Sequence, residues 1–156
     1  MTRVKRLRGQ SLWVGVSVAV LLTGCSTAPP KYRTTLTGEK EVPPVTTTAG
    51  GVSDISVRLG KCPSTVILGS DCYLLGGMVQ TSGVDGTAAH VHQGAPGQNG
   101  PVIVPLEKTG SNLWTVPLGT VLTDAQYQAY LAGNLYVNVH SDANKNGEVR
   151  AQIKPQ

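Results

Sequence analysis

The chain reads as an all-β domain, a Greek-key sandwich or barrel of about eight short strands with one short helix in a crossover. Three observations carry that reading. Glycine is abundant at 19 residues and proline adds 10, which places many turns between short segments. Val, Leu, Ile and Tyr recur in short runs, some alternating with polar residues as a half-buried strand requires. Only one stretch carries helix signals.

The N-terminal residues stand apart from that pattern. Arg3, Lys5, Arg6 and Arg8 form a basic cluster, and an apolar run over 11–22 follows. The run is shorter than the roughly 20 apolar residues a membrane span needs. It ends in Leu22-Thr23-Gly24-Cys25, which reads as a lipobox. Residues 1–24 are therefore expected to be a lipoprotein signal peptide, with Cys25 the lipidated residue. The competing readings are an ordinary signal peptide, or a buried helix with an incidental cysteine. Residues 25–31, small and Pro-containing, read as a tether. Ser26 rather than Asp after the cysteine implies transport to the outer membrane in a diderm cell. The expected location is the cell envelope, on a lipid anchor, periplasmic or surface-exposed.

Charge excludes one class of partner. The formal net charge is +4, yet four of the basic residues lie before Cys25. The remaining nine balance nine acidic residues, all of them after Cys25. A neutral domain has no basic footprint for nucleic acid.

The domain is expected over 32–154. Strand signals begin at 32–38, and Pro43-Pro44 exclude a central strand position just beyond. Residues 52–59 alternate, which predicts one half-buried strand with Ile55, Val57 and Leu59 inward. Cys62 and Cys72 form an even pair in an oxidising compartment and are expected to be disulfide-bonded. Their spacing does not match a zinc knuckle. A strand over 73–81 is interrupted at Gly76-Gly77, as a bulge would do. Strands over 87–92, 101–106 and 112–118 follow, the last two around a turn at Thr109-Gly110-Ser111. Trp114 is expected in the core. Thr123 and Gln126 make a capping box, with Asp124 in the first turn. Tyr127, Tyr130 and Leu131 then share a helix face, and Gly133 suits the C′ position. Strands over 134–140 and 148–154 flank Asn146-Gly147, a tight hairpin signal.

All three histidines fall on two of these strands. His90 and His92 project from one face, on the order of 7 Å apart. Tyr136, Asn138 and His140 share one face of their strand, and Leu135, Val137 and Val139 the other. The valine face is the natural core face, so the histidines belong on the outer face, under loops or open to water. Pairing of the two strands would let three imidazoles converge on Cu or Zn. Otherwise they are three polar surface residues, some held by hydrogen bonds to the loop 94–100.

Four ordered segments stand out: Leu36-Thr37-Gly38-Glu39-Lys40-Glu41-Val42-Pro43-Pro44; Ala89-His90-Val91-His92-Gln93-Gly94-Ala95-Pro96-Gly97, continuing through Gly100-Pro101-Val102; Tyr136-Val137-Asn138-Val139-His140-Ser141; and Gly147-Glu148-Val149-Arg150-Ala151-Gln152. In these the chain resembles the CHRD domain family, named for the repeated module of the animal protein chordin and also found in microbes. The resemblance implies an immunoglobulin-like β fold with a distant likeness to Cu/Zn superoxide dismutase. His90-Val91-His92 resembles the dismutase copper pair, and His140 its later copper ligand. A fourth histidine to bridge to zinc is lacking, and no arginine can be placed by motif as an anion guide.

Other chemistry finds little footing. Asp142-Ala143-Asn144-Lys145-Asn146-Gly147 copies the start of a calcium loop, but Ile153 stands where a bidentate Glu belongs, which favours a turn. No Gly-x-Ser-x-Gly elbow occurs. Glu39 and Glu41 precede two prolines and are expected to line a surface loop. Gly94, Gly97 and Gly100 do not lead a strand into a helix, so no phosphate cradle is expected. The functional expectation is a non-catalytic envelope module that binds a protein or glycan, or supports the surface, with copper held by His90, His92 and His140 as its sharpest form. The alternative is a copper-dependent oxidoreductase of the dismutase type.

Overall fold

The structure is a computed structural model and describes residues 33–63 and 69–155. The expectations for the leader, Cys25 and the tether lie outside the described residues. The strands are β1 (Thr34–Thr37), β2 (Gly50–Ser53), β3 (Ser56–Lys61), β4 (Asp71–Gly76), β5 (Met78–Ser82) and β6 (Gly86–Gln93). They continue with β7 (Val102–Pro105), β8 (Glu107–Gly110), β9 (Leu113–Thr115), β10 (Val121–Leu122), β11 (Leu135–Ser141) and β12 (Val149–Gln152). Helix α1 (Asp124–Leu131) lies between β10 and β11.

Nine strands form one antiparallel sheet in the order β7-β6-β11-β12-β1-β2-β5-β9-β8, and β10-β4-β3 form a small second sheet. The outermost strands of the large sheet, β7 and β8, are joined in sequence by Leu106 alone. The sheet must therefore curl almost into a barrel. Leu106 N–H donates to the Ala89 carbonyl at 2.9 Å, extending the β6–β7 ladder up to β8, and Lys108 of β8 donates to the Gly86 carbonyl of β6 at 2.6 Å. Closure of this kind protects edges that would otherwise remain open for pairing. Leu36, Val79, Val91, Leu135, Val137, Val139, Val149 and Ala151 fill the interior at 0% exposure, with Trp114 at 3%.

The expected strand over 52–59 is two strands in different sheets. β2 pairs with β5 in the large sheet and β3 with β4 in the small one. The break falls at Asp54-Ile55, opposite Gly77. Asp54 Oδ1 accepts the Met78 N–H at 2.7 Å, and Asp54 N–H donates to the Met78 carbonyl at 3.1 Å. Gly77 adopts φ 119° and stands so close that a Cβ there would lie 2.7 Å from Ile55 Cα. Gly76-Gly77 thus marks a sheet-to-sheet crossing rather than a bulge. Ile55 and Val57 are buried as expected, but Leu59 is 65% exposed, because β3 runs out past the core along the edge of the small sheet.

Cys62 and Cys72 are disulfide-bonded with Cα atoms 5.1 Å apart, tying β3 to β4. The capping box of α1 forms as expected. Thr123 Oγ1 accepts from Gln126 N at 3.2 Å, and Gln126 Oε1 accepts from Thr123 N at 2.9 Å. Tyr130 is buried and Tyr127 stacks on Tyr73 with centroids 3.7 Å apart. Leu131 is 44% exposed, so the expected apolar face narrows to its two tyrosines. Residues 142–148 join β11 to β12, but not through a type I′ turn. Such a turn needs positive φ at both central residues, and Asn146 does not have it whereas Gly147 does.

Candidate functional site

Register decides which side chains meet. β6 and β11 pair antiparallel with His92 opposite Tyr136, His90 opposite Asn138, and Ala88 opposite His140. Ala89, Val91, Val137 and Val139 point into the core. His90, His92, Tyr136, Asn138 and His140 therefore share the outer face. One ligand nitrogen from each histidine lies within 4.8 Å of the others. The three imidazoles converge as their strand positions predict, and the loops cover them. His92 is buried, while His90 and His140 are half-buried.

Main-chain carbonyls orient two of the rings. His92 Nδ1 lies 2.9 Å from the Gly100 carbonyl, and His140 Nδ1 lies 2.9 Å from the Lys145 carbonyl. A carbonyl only accepts, so each Nδ1 carries the hydrogen and each Nε2 presents a lone pair. His90 Nδ1 stands 2.9 Å from His140 Nε2, so one proton bridges those rings. His92 Nε2 is buried with no hydrogen-bond partner. Burial holds the pKa of His90 below its ordinary value, helped by the nearby His140 and His92. Burial lowers that of His92 as well, against the opposing effect of the Gly100 carbonyl. Uncharged imidazole is the form that binds metal.

Behind the histidines lies a layer the sequence reading missed. His92 stacks on Tyr136, with centroids 4.7 Å apart and planes 8° from parallel, and the Arg150 guanidinium carbon lies 3.4 Å from the Tyr136 ring centroid. Arg150 is 2% exposed. It donates to Gln98 O at 2.8 Å, Ala95 O at 3.4 Å and Asn99 Oδ1 at 3.2 Å. It anchors the loop 94–100, and those bonds leave it poorly placed to guide an anion. The Tyr136 hydroxyl accepts the Gly100 N–H at 3.2 Å, so Gly100 is held on both sides.

Glu41 corrects a further expectation. It does not line a surface loop but is 5% exposed. Burial pushes its pKa up to about 7, against the lowering effects of Arg150 and a hydrogen bond from Asn138. Glu39, by contrast, is exposed as expected. The Pro43-Pro44 pair made this segment read as surface. The signal that points inward is the glycine across from it. A Cβ on Gly147 would stand 2.5 Å from Glu41 Oε1 and 2.6 Å from Asn138 Nδ2, and Gly147 has φ 129°. The Asp142–Gly147 stretch supplies the Lys145 carbonyl, and its one carboxylate, Asp142, joins no metal-competent cluster among the described residues.

The donor set fits a metal of the imidazole-preferring kind. Metal–nitrogen bonds of about 2.0–2.1 Å place ligands about 3.3–3.6 Å apart in trigonal or tetrahedral geometry. The widest separation, within 4.8 Å, needs to close by only about an ångström, while His90 Nδ1 and His140 Nε2, at 2.9 Å, need to part slightly. His92 Nε2, an orphaned buried lone pair, is what such an ion would satisfy.

Fold and site together define a barrel-like β module with a histidine cluster on the outer face of its large sheet. The model of the CHRD domain matches residues 32–153, and the chain belongs to the CHRD domain family. No curated protein and no solved structure matches the chain.

Proposed function

We propose that this is a lipid-anchored cell-envelope protein whose CHRD domain is a non-catalytic binding module that holds copper through His90, His92 and His140. The observation that carries the metal reading is the convergence of three imidazoles, whose ligand nitrogens lie within 4.8 Å of one another on the outer face of the sheet. Three neutral nitrogens suit copper and zinc far better than Mg²⁺ or Ca²⁺, which prefer oxygen. Support for the anchor comes from the lipobox ending at Cys25 and the basic residues before it. Those signals favour the outer membrane of a diderm cell.

The direct test is copper titration of the wild type and of a His90→Ala/His92→Ala/His140→Ala variant. Binding in the first and none in the second supports the reading. Equal affinity in both overturns it. A superoxide assay on the copper-loaded protein separates storage or delivery from oxidoreductase chemistry, since a pure binding module leaves the background rate unchanged.

A further inference from the structure

Three buried acceptors on the outer face of the sheet lack donors: Glu41 Oε1, Asn138 Oδ1 and His92 Nε2. Buried polar atoms without partners are rare, and each calls for a physical account. Here one side chain connects them: Asn138 lies on the same face as His92, one pair along the β6–β11 ladder, and its amide flanks Gly147 together with the Glu41 carboxyl. Its Nδ2 sits on the Glu41 side, beside Gly147. Its oxygen is then the end left for His92, where it meets a lone pair rather than a hydrogen.

A half-turn of the amide resolves all three atoms. With Nδ2 toward His92, the Nε2 lone pair accepts an N–H. Oδ1 then faces Glu41 and accepts its hydroxyl hydrogen, provided that the carboxyl is protonated. With Nδ2 toward Glu41, the amide serves a carboxylate instead, and His92 Nε2 is left bare. The first arrangement suits a metal-free cluster, and the second a cluster whose His92 lone pair is taken.

Resting on the three-histidine metal reading, we propose that Asn138 is a positioning residue that couples the cluster to Glu41: its amide donates to His92 when the cluster is empty and to the Glu41 carboxylate when metal is bound, so metal uptake releases the Glu41 proton. In that step the Glu41 O–H bond breaks and its proton passes to solvent. Asn138 exchanges an N–H···N bond for an N–H···O⁻ bond, and nothing is oxidised or reduced. The charged groups around Glu41 are Arg150 from β12, Lys145 from the β11–β12 loop, and Glu39 and Lys40 from its own segment. Arg150 stabilises the carboxylate once it forms.

The test titrates the full chain with Cu²⁺ at pH 6, in two buffers of different ionisation enthalpy. Calorimetry then counts protons released by wild type and by Glu41→Gln, a nearly isosteric change. Wild type should release about one proton more than the variant. Its affinity should also fall about fivefold more than the variant's between pH 7 and pH 6, given a carboxyl that titrates near 7. A readout without metal is a nitrogen–nitrogen coupling across a hydrogen bond from Asn138 Nδ2 to His92 Nε2, expected in the wild type at pH 6. Equal proton counts, or the absence of that coupling, overturn the proposal while leaving copper binding intact. No copper binding in the wild type overturns both.

Discussion

At the scale of single residues, the cluster works because the carbonyls beside it settle where each imidazole hydrogen sits. Any one of His90→Ala, His92→Ala or His140→Ala should weaken copper binding, and His92→Ala the most, since it alone of the three is buried. Equilibrium dialysis against copper checks the ranking. Glu41 governs a second observable, the dependence of stability on pH. Its folded pKa is raised, so its contribution is fully present below the unfolded value of 4.5 and is lost as pH rises through about 7. Wild type should therefore lose about 1–3 kcal/mol relative to Glu41→Gln between pH 5 and pH 8. His90 and His92 act in the opposite sense. Their lowered pKa values remove stability as pH falls through and below 6.5. Comparison with Glu41→Gln cancels that slope, and urea midpoints across the range measure the difference. Gly147→Ala should cost about 1–3 kcal/mol, because it combines an unfavourable φ with a Cβ driven into Glu41 and Asn138.

At the scale of elements, local signals were legible where the chemistry is local. The capping box of α1 was readable because its two hydrogen bonds join residues three apart. Thr123→Ala should lower stability by about 0.5–2 kcal/mol, as a shift in denaturation midpoint. The Cys62–Cys72 bond was readable from the even count left once Cys25 is set aside and from the compartment that the leader leads one to expect. Its removal by paired Cys→Ser changes should cost about 2–3 kcal/mol by the loop-entropy relation, and intact mass with and without reductant reports the bond itself. The strand over 52–59 was misread because alternation says which side chains face inward but not which sheet a strand joins. The crossing at Asp54 depends on Met78 and Gly77, distant in sequence, and no period within the segment carries that information. Glu41 was misread for the same reason: its surroundings come from β11, β12 and the loop between them.

At the scale of the whole molecule, the all-β class followed from composition and period, whereas the pairing of β6 with β11 stood only as a condition and the near-closure of a nine-stranded sheet was not foreseen. Closure rests on Leu106 and Lys108, whose partners Ala89 and Gly86 on β6 no local pattern announces. The proposed anchor gives a prediction at this scale. Wild type should partition into detergent and Cys25→Ser into the aqueous phase, and aqueous partitioning of wild type would sink the lipoprotein reading. The cluster's support has a different consequence. Gly100 and Lys145 hold the imidazole hydrogens through backbone oxygens, which every amino acid possesses. Position 145 can therefore exchange its side chain freely: Lys145→Ala should leave the tautomer of His140 unaltered. Position 100 cannot, since a Cβ there would stand 1.7 Å from the Gln93 oxygen. Of the two loops that secure the site, one is thus open to mutational drift at its contact residue and the other is closed to it.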